Sequence, residues 1–194
     1  MKRMADRFMK HGNTVPVRIY SKLFVRNSAQ RISWLKLCGA SMGEGCTVNS
    51  DTGNFMEPYM VRFGKKVYVA ANCHFITHDG AFSWMSRAMG VRKERTDKLG
   101  EIVVGDNCFI DFGSMIMPNV TIGSNCIIAA GAVVTKSVPD YSVVGGCQAR
   151  RICSTDEYMS RNAHLNDYTC GLSNYEKRKY YEKKRKEQNE EKQV

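Results

Sequence analysis

No apolar stretch in this 194-residue chain approaches the ~20 residues that a membrane span requires. Basic residues interrupt the N-terminus throughout, so the apolar core of a secretory leader is missing too. No C-x-x-C pair suggests zinc, and no G-x-G-x-x-G or P-loop suggests a nucleotide fold. Ser/His/Asp hydrolase chemistry is not expected. Histidine is scarce, with only His11, His74, His78 and His164. Acid is scarce at one end: residues 1–36 carry nine Lys/Arg (Lys2, Arg3, Arg7, Lys10, Arg18, Lys22, Arg26, Arg31, Lys36) against Asp6 alone, within a net charge of +10. Such an end suits anionic lipid, nucleic acid or a phosphorylated ligand, or it is a solvated basic face.

What the chain does have is a period of six. Val104, Ile110, Ile116, Ile122, Ile128 and Val134 recur without a slip. Four residues after each come Cys108, Ser114, Val120, Cys126, Ala132 and Val138, all small or β-branched. A helix repeats at 3.6 residues and a half-buried strand at 2, so neither alone accounts for the pattern. It describes a solenoid of short strands and tight turns, with two inward residues per unit and coils stacked at about 4.8 Å. The expected fold class is therefore an all-β solenoid.

Three regions follow. Residues 1–36 form a basic cap, expected to be helical, covering the open end of the solenoid or touching a membrane surface. Residues 37–153 carry the coils, with the phase left open between Asp51 and Met60. Residues 154–194 are a polar tail, either an exposed helix or unstructured from Asn174 onward. Within the coils the phase fails after Phe75, and residues 79–101 form a projecting loop that ends in the polar run Arg92 to Lys98. Cys46, Cys73, Cys108 and Cys126 take inward positions of the repeat, where a thiol packs as a small hydrophobe, which points to reduced cysteines and a cytoplasmic protein.

His78 stands where the repeat gives way to the loop. A neutral imidazole there is suited to taking a proton from an attacking hydroxyl or amine. Asp79 beside it either orients the ring or caps a turn. His74 and His78 alone fall short of the three ligands that catalytic zinc needs. On the loop, Phe82 or Trp84 would stack on a sugar face and Arg87 would meet an anionic group, or the aromatic residues would only pin the loop to a neighbouring subunit.

The blocks Val104-Gly105-Asp106-Asn107-Cys108-Phe109-Ile110, Met117-Pro118-Asn119-Val120-Thr121-Ile122-Gly123 and Ala129 through Pro139 resemble the hexapeptide-repeat acyltransferases. The likeness, over about Leu37 to Ile152, is to their sugar and polysaccharide O-acetyltransferases, near the maltose, galactoside and xenobiotic enzymes. Thr77-His78-Asp79-Gly80 resembles the catalytic-histidine segment of polysaccharide-modifying members. The resemblance implies a left-handed parallel β-helix, a homotrimer with sites between subunits, acetyl-CoA as acyl donor and no metal. It implies His78 as general base, the Ala130 backbone, Thr135 and Lys136 beside pantetheine and phosphates, and Arg150 near the 3′-phosphate. Asp79, Trp84 and Arg87 are the expected acceptor contacts. Two departures from the family pattern are Gly146-Cys147-Gln148-Ala149 and Asp111-Phe112. The implied activity is O-acetylation of a sugar in a surface polysaccharide or its precursor. The alternatives are N-acetylation of an amino or nucleotide sugar, or a non-catalytic scaffolding trimer. No nucleic acid partner is implied, and the basic N-terminus allows peripheral contact with the inner membrane face.

Overall fold

The computed structural model describes residues 1–11, 19–20, 23–91, 98–165 and 167–191. Two compact units divide the chain, Met1–Met159 and Ser160–Val194. The first is a solenoid built from strands of two to five residues on three sheets, all parallel except for the last strand. One sheet holds β1 (Ser41–Met42), β3 (Val61–Phe63), β8 (Ile102–Val104) and β11 (Thr121–Ile122). The next holds β2 (Thr47–Val48), β4 (Tyr68–Val69), β9 (Phe109–Ile110), β12 (Ile127–Ile128), β14 (Ser142–Gly145) and β15 (Arg150–Ser154). The third holds β5 (His74–Phe75), β10 (Met115–Ile116) and β13 (Val133–Val134). The chain visits the sheets in that order, and each lead residue stacks on its equivalent one coil away, as Val69 on Ile110 and Ile110 on Ile128.

The hexad gives this directly. All six lead residues and all six followers are buried, none above 6% exposed. Each enclosed isoleucine contributes about 1.5–3 kcal/mol over an exposed one. Cys73, Cys108 and Cys126 are enclosed as expected, whereas Cys46 is only half-buried at the edge coil. Burial pushes the Cys73 thiol up, and that of Cys38 up to about 12.

The corners explain the polar half of the repeat. Gly45, Lys66, Asn107, Asn125 and Tyr141 occupy the same corner of successive coils, all at left-handed φ between 54° and 72°. Glycine and asparagine tolerate that conformation, which is why they recur there. Just before that corner, Gly43 and Gly105 are glycine for a different reason. A Cβ on Gly43 would meet the Gly64 carbonyl oxygen at 2.5 Å, and one on Gly105 would meet Ser124 N at 2.7 Å. The next coil lies too close for any side chain.

The open edge of the first coil is covered by a helix, α2 (Ser28–Leu37), entered through a capping box between Asn27 and Gln30. Trp34, Leu35 and Cys38 are buried beneath it, and Ser28 Oγ accepts a hydrogen bond from Val48 N at 2.8 Å. On α2 packs α1 (Lys2–His11), which buries Ala5 and half-buries Met4 and Phe8. Arg18 and Lys22 lie outside the described residues. At the far edge, β15 turns back antiparallel on β14 and occupies the last ladder.

The segment expected as a loop has structure of its own. β6 (His78–Asp79) pairs antiparallel with β7 (Lys98–Leu99), and α3 (Ala81–Ala88) lies between them. The polar run at 92–97 lies outside the described residues. The helix α4 (Thr155–Asn162) follows the last strand. In the second unit, α5 (Asn174–Glu191) starts at Ser173, whose backbone N–H donates to Glu176. There Tyr180 and Lys184 both donate to Asp167. No helix among the described residues is long and apolar enough to cross a membrane.

Candidate active site

Each coil leaves the third sheet through one corner, and the chemistry collects there. In the second coil, Phe75 ends β5, Thr77 is fully buried, and His78 begins the excursion to α3. In the first coil, Phe55 bridges to Phe75 and the chain then runs through Glu57 into a 3₁₀ turn at Pro58–Met60. Phe55 and Phe75 stack with ring centroids 4.5 Å apart, which locks the two coils in register. The result places Glu57 directly against Thr77 and His78.

His78 Nδ1 lies 2.9 and 3.0 Å from the two carboxylate oxygens of Glu57. A carboxylate only accepts, so Nδ1 carries a proton, and in the neutral ring Nε2 keeps its lone pair. Glu57 is itself held: Thr77 Oγ1 donates to its Oε2 and accepts from its backbone N–H at 3.1 Å. The side chains of His78 and Glu57 are 34% and 21% exposed, so the ring is reachable while its partner is mostly covered. An imidazole held in this way by a supported carboxylate is chemically able to serve as a base.

Glu57 was not among the expected site residues. Of the two roles open to Asp79, the turn is the one seen: its Oδ1 accepts from Ala81 N at 2.9 Å at the start of α3. The ring of His78 is oriented by Glu57 instead. Trp84 and Arg87 project from α3, with the guanidinium 5.9 Å from the ring centroid, and with Ala88 they line an open cleft of about 390 Å³. Trp84 is 67% exposed.

Lys136 sits two coils on from Thr77 at the same corner, because Val134 stacks on Ile116 and Ile116 on Phe75. At about 4.8 Å per coil, the corner runs roughly 10 Å from His78 to Thr135 and Lys136. Both are exposed. Ala130 is exposed at the opposite end of β13, beside Gly131, where a Cβ would meet nothing within 4 Å. Arg150 is exposed at the start of β15. One chain therefore does not bring Ala130 to the corner that holds Lys136. His74 points out of β5 next to Met115. Among the described residues, no three His, Cys, Asp or Glu side chains are grouped to hold a metal ion. The string Gly39-Ala40-Ser41-Met42-Gly43 has the spacing of a nucleophile elbow, but Ser41 lies in β1 in register with Arg62, not on a strand-to-helix turn.

Comparison with known proteins bears on what this arrangement belongs to. Residues 101–136 match the bacterial transferase hexapeptide family, described as six repeats. Protein CapG of Staphylococcus aureus is 39% identical over 166 residues, covering 84% of this chain and 92% of that protein. The chain belongs to the hexapeptide-repeat transferase family. The fold agrees with solved hexapeptide-repeat structures. A hexapeptide-repeat acetyltransferase of Vibrio cholerae, complexed with acetyl-CoA, superposes with a TM-score of 0.55 at 19% identity, over 79% of this chain and 86% of that one. A galactoside acetyltransferase in complex with coenzyme A gives 0.54 at 20% identity, over 82% and 81%. A maltose O-acetyltransferase from Clostridium difficile gives 0.53 at 20%, over 79% and 85%. Membership of this family implies that the parallel coils wind into a β-helix.

Proposed function

We propose that this transferase moves an acetyl group from acetyl-CoA to a hydroxyl of a sugar in a surface polysaccharide or its precursor, with His78 as general base. The observation that carries the proposal is the Glu57–His78 contact, which fixes a proton on Nδ1 and leaves Nε2 free at an accessible corner. The acceptor hydroxyl gives its proton to Nε2 as its oxygen attacks the thioester carbonyl. A backbone N–H receives the oxyanion, and collapse expels the CoA thiolate, which takes the proton back from His78. Glu57 stabilises the imidazolium between those events.

The donor reading draws on the two structural neighbours solved with acetyl-CoA or CoA. Lys136 and Arg150 supply exposed cations for CoA phosphates, and the uncrowded corner at Ala130 and Gly131 offers backbone to pantetheine. Because Ala130 and Lys136 lie on different corners, a complete donor groove needs a second chain, in keeping with a left-handed helix assembled as a homotrimer. Asp79, Trp84 and Arg87 stand at the acceptor side, where an indole face and a guanidinium suit an anionic or uncharged sugar. The domain limits proposed are the cap at 1–36, the acyltransferase solenoid at 37–153 and the tail at 154–194.

The test is a screen of sugars bearing hydroxyl or amino groups, with labelled acetyl-CoA and the parent or His78→Ala protein. Label in an O-acetyl product, lost in the variant, is expected. Transfer to amines alone, or equal CoA release by both proteins across every acceptor, would refute it.

A further inference from the structure

The N-terminal cap has an outer surface that neither the solenoid nor the candidate site uses. On α1 the side facing α2 carries Met4, Ala5 and Phe8, while Arg3, Asp6, Arg7 and Lys10 fall on the opposite side and line an open depression of about 420 Å³. Three cations surround one carboxylate there. The second part of the surface is apolar. Ile19, Leu23 and Phe24 are 53%, 58% and 57% exposed, although Tyr20 among them and Val25 after them are drawn inward. Tyr20 holds this segment to α2, with its ring 4.9 Å from Phe24 and 5.7 Å from Trp34. Both parts thus ride on α2, the helix that closes the end of the solenoid.

We propose that this cap is a docking surface for an anionic lipid bilayer: Arg3, Arg7 and Lys10 meet headgroup phosphates and carboxylates, and Ile19, Leu23 and Phe24 enter the interface. Charge complementarity favours this occupant over a second copy of the chain, which would set three cations against three cations. The aliphatic side chains favour it over nucleic acid, because Ile19 and Leu23 have nothing to offer a phosphate backbone and do not stack on bases. Exposed aliphatic residues combined with a basic helical stripe are what interfacial segments use. Such attachment would hold the transferase where membrane-bound acceptors are presented.

Each basic residue near an anionic surface strengthens binding roughly fivefold, so three give about a hundredfold. The test uses full-length protein and vesicles of phosphatidylcholine with or without phosphatidylserine, read by co-sedimentation. Two variants accompany it, Arg3→Ser/Arg7→Ser/Lys10→Ser and Ile19→Ser/Leu23→Ser, each checked for retained fold by circular dichroism. Expected are binding only to phosphatidylserine vesicles, weakening with salt, a loss of about a hundredfold in the first variant and roughly tenfold in the second. A free phosphate site would show pyrophosphate competing while the Ile19→Ser/Leu23→Ser variant binds normally. A nucleic acid site would show equal or tighter binding of duplex DNA, again indifferent to that variant. A self-association site would show the variants shifting the oligomer in sedimentation velocity. Any of these three, or absence of vesicle binding at low salt, would overturn the proposal.

Discussion

Glu57→Gln isolates the carboxylate from the rest of the site. Glutamine has nearly the same shape, and its amide oxygen can still accept from Thr77, so the corner keeps its packing. What it loses is the negative charge 2.9 Å from His78 Nδ1. A hydrogen bond to a charged group contributes about 1.5–3 kcal/mol. Two unit charges about 4 Å apart at an effective dielectric of 20 interact by about 4 kcal/mol, and solvent reaching a third of the ring pulls that down. Taking about 1.5–3 kcal/mol, and 1.36 per decade, kcat should fall roughly 10- to 150-fold. His78→Ala should cost more, about 10²- to 10⁴-fold. The assay follows CoA thiol release with the acceptor and acetyl-CoA varied separately, alongside thermal unfolding. KM for acetyl-CoA should stay unchanged, and Glu57→Asp should recover part of the rate. A kcat within twofold of the parent in Glu57→Gln, or a loss explained by a lower Tm, would refute the orienting role.

Lys136→Ala should raise KM for acetyl-CoA roughly tenfold and leave kcat within about threefold, measured by initial rates; the reverse split would remove Lys136 from the donor groove. Gly105→Ala should destabilise the solenoid by about 1–3 kcal/mol in chemical unfolding, because its Cβ would lie 2.6 Å from Ser124 Oγ and 2.7 Å from Ser124 N. Brief N-ethylmaleimide treatment of native protein should label the exposed Cys147 and Cys170 and spare Cys38, Cys73, Cys108 and Cys126, as read by peptide mass spectrometry. Mild alkalinity should leave Cys38 unlabelled, since burial holds its thiol up at about 12. Trp84→Ala should raise KM for the acceptor roughly tenfold with no change in KM for acetyl-CoA, whereas an indifferent variant would leave α3 with no part in acceptor binding.

The solenoid was legible because its constraint is one-dimensional: every coil repeats the same two inward positions, and Val104 through Val138 satisfy them without exception. His78 was legible for the complementary reason, as the polar residue where that repetition stops. Glu57 was not. It lies 21 residues before its partner, inside the stretch from Asp51 to Met60 that has no hexad phase, so nothing local links it to His78. The signal available was indirect. Two consecutive coils depart from the pattern on leaving the same sheet, and stacked coils place their departures one above the other. Asp79 drew attention because it is adjacent in sequence, but consecutive strand residues point to opposite faces, and its carboxylate turns to Ala81 instead.

The pairing of those departures has a physical cause. At a regular corner of this solenoid the neighbouring coil follows at about 4.8 Å. A carboxylate and an imidazole meeting head to head need more space than that, and both must turn out of the ladder. The first coil makes the space with the turn at Pro58–Met60, the second with the strand pair at His78 and Asp79. Phe55 on Phe75 keeps the coils in register beneath them, and Thr77, fully buried, ties the Glu57 backbone and side chain to that register. The dyad is thus positioned by the stacking of the core rather than by a flexible loop, and its geometry should be as rigid as the solenoid itself. The excursion beyond Asp79, which carries Trp84 and Arg87, is anchored to the same corner through Gly100 N donating to Thr77 O at 2.8 Å. A single buried threonine therefore couples His78, Glu57 and the root of the excursion that carries Trp84 and Arg87.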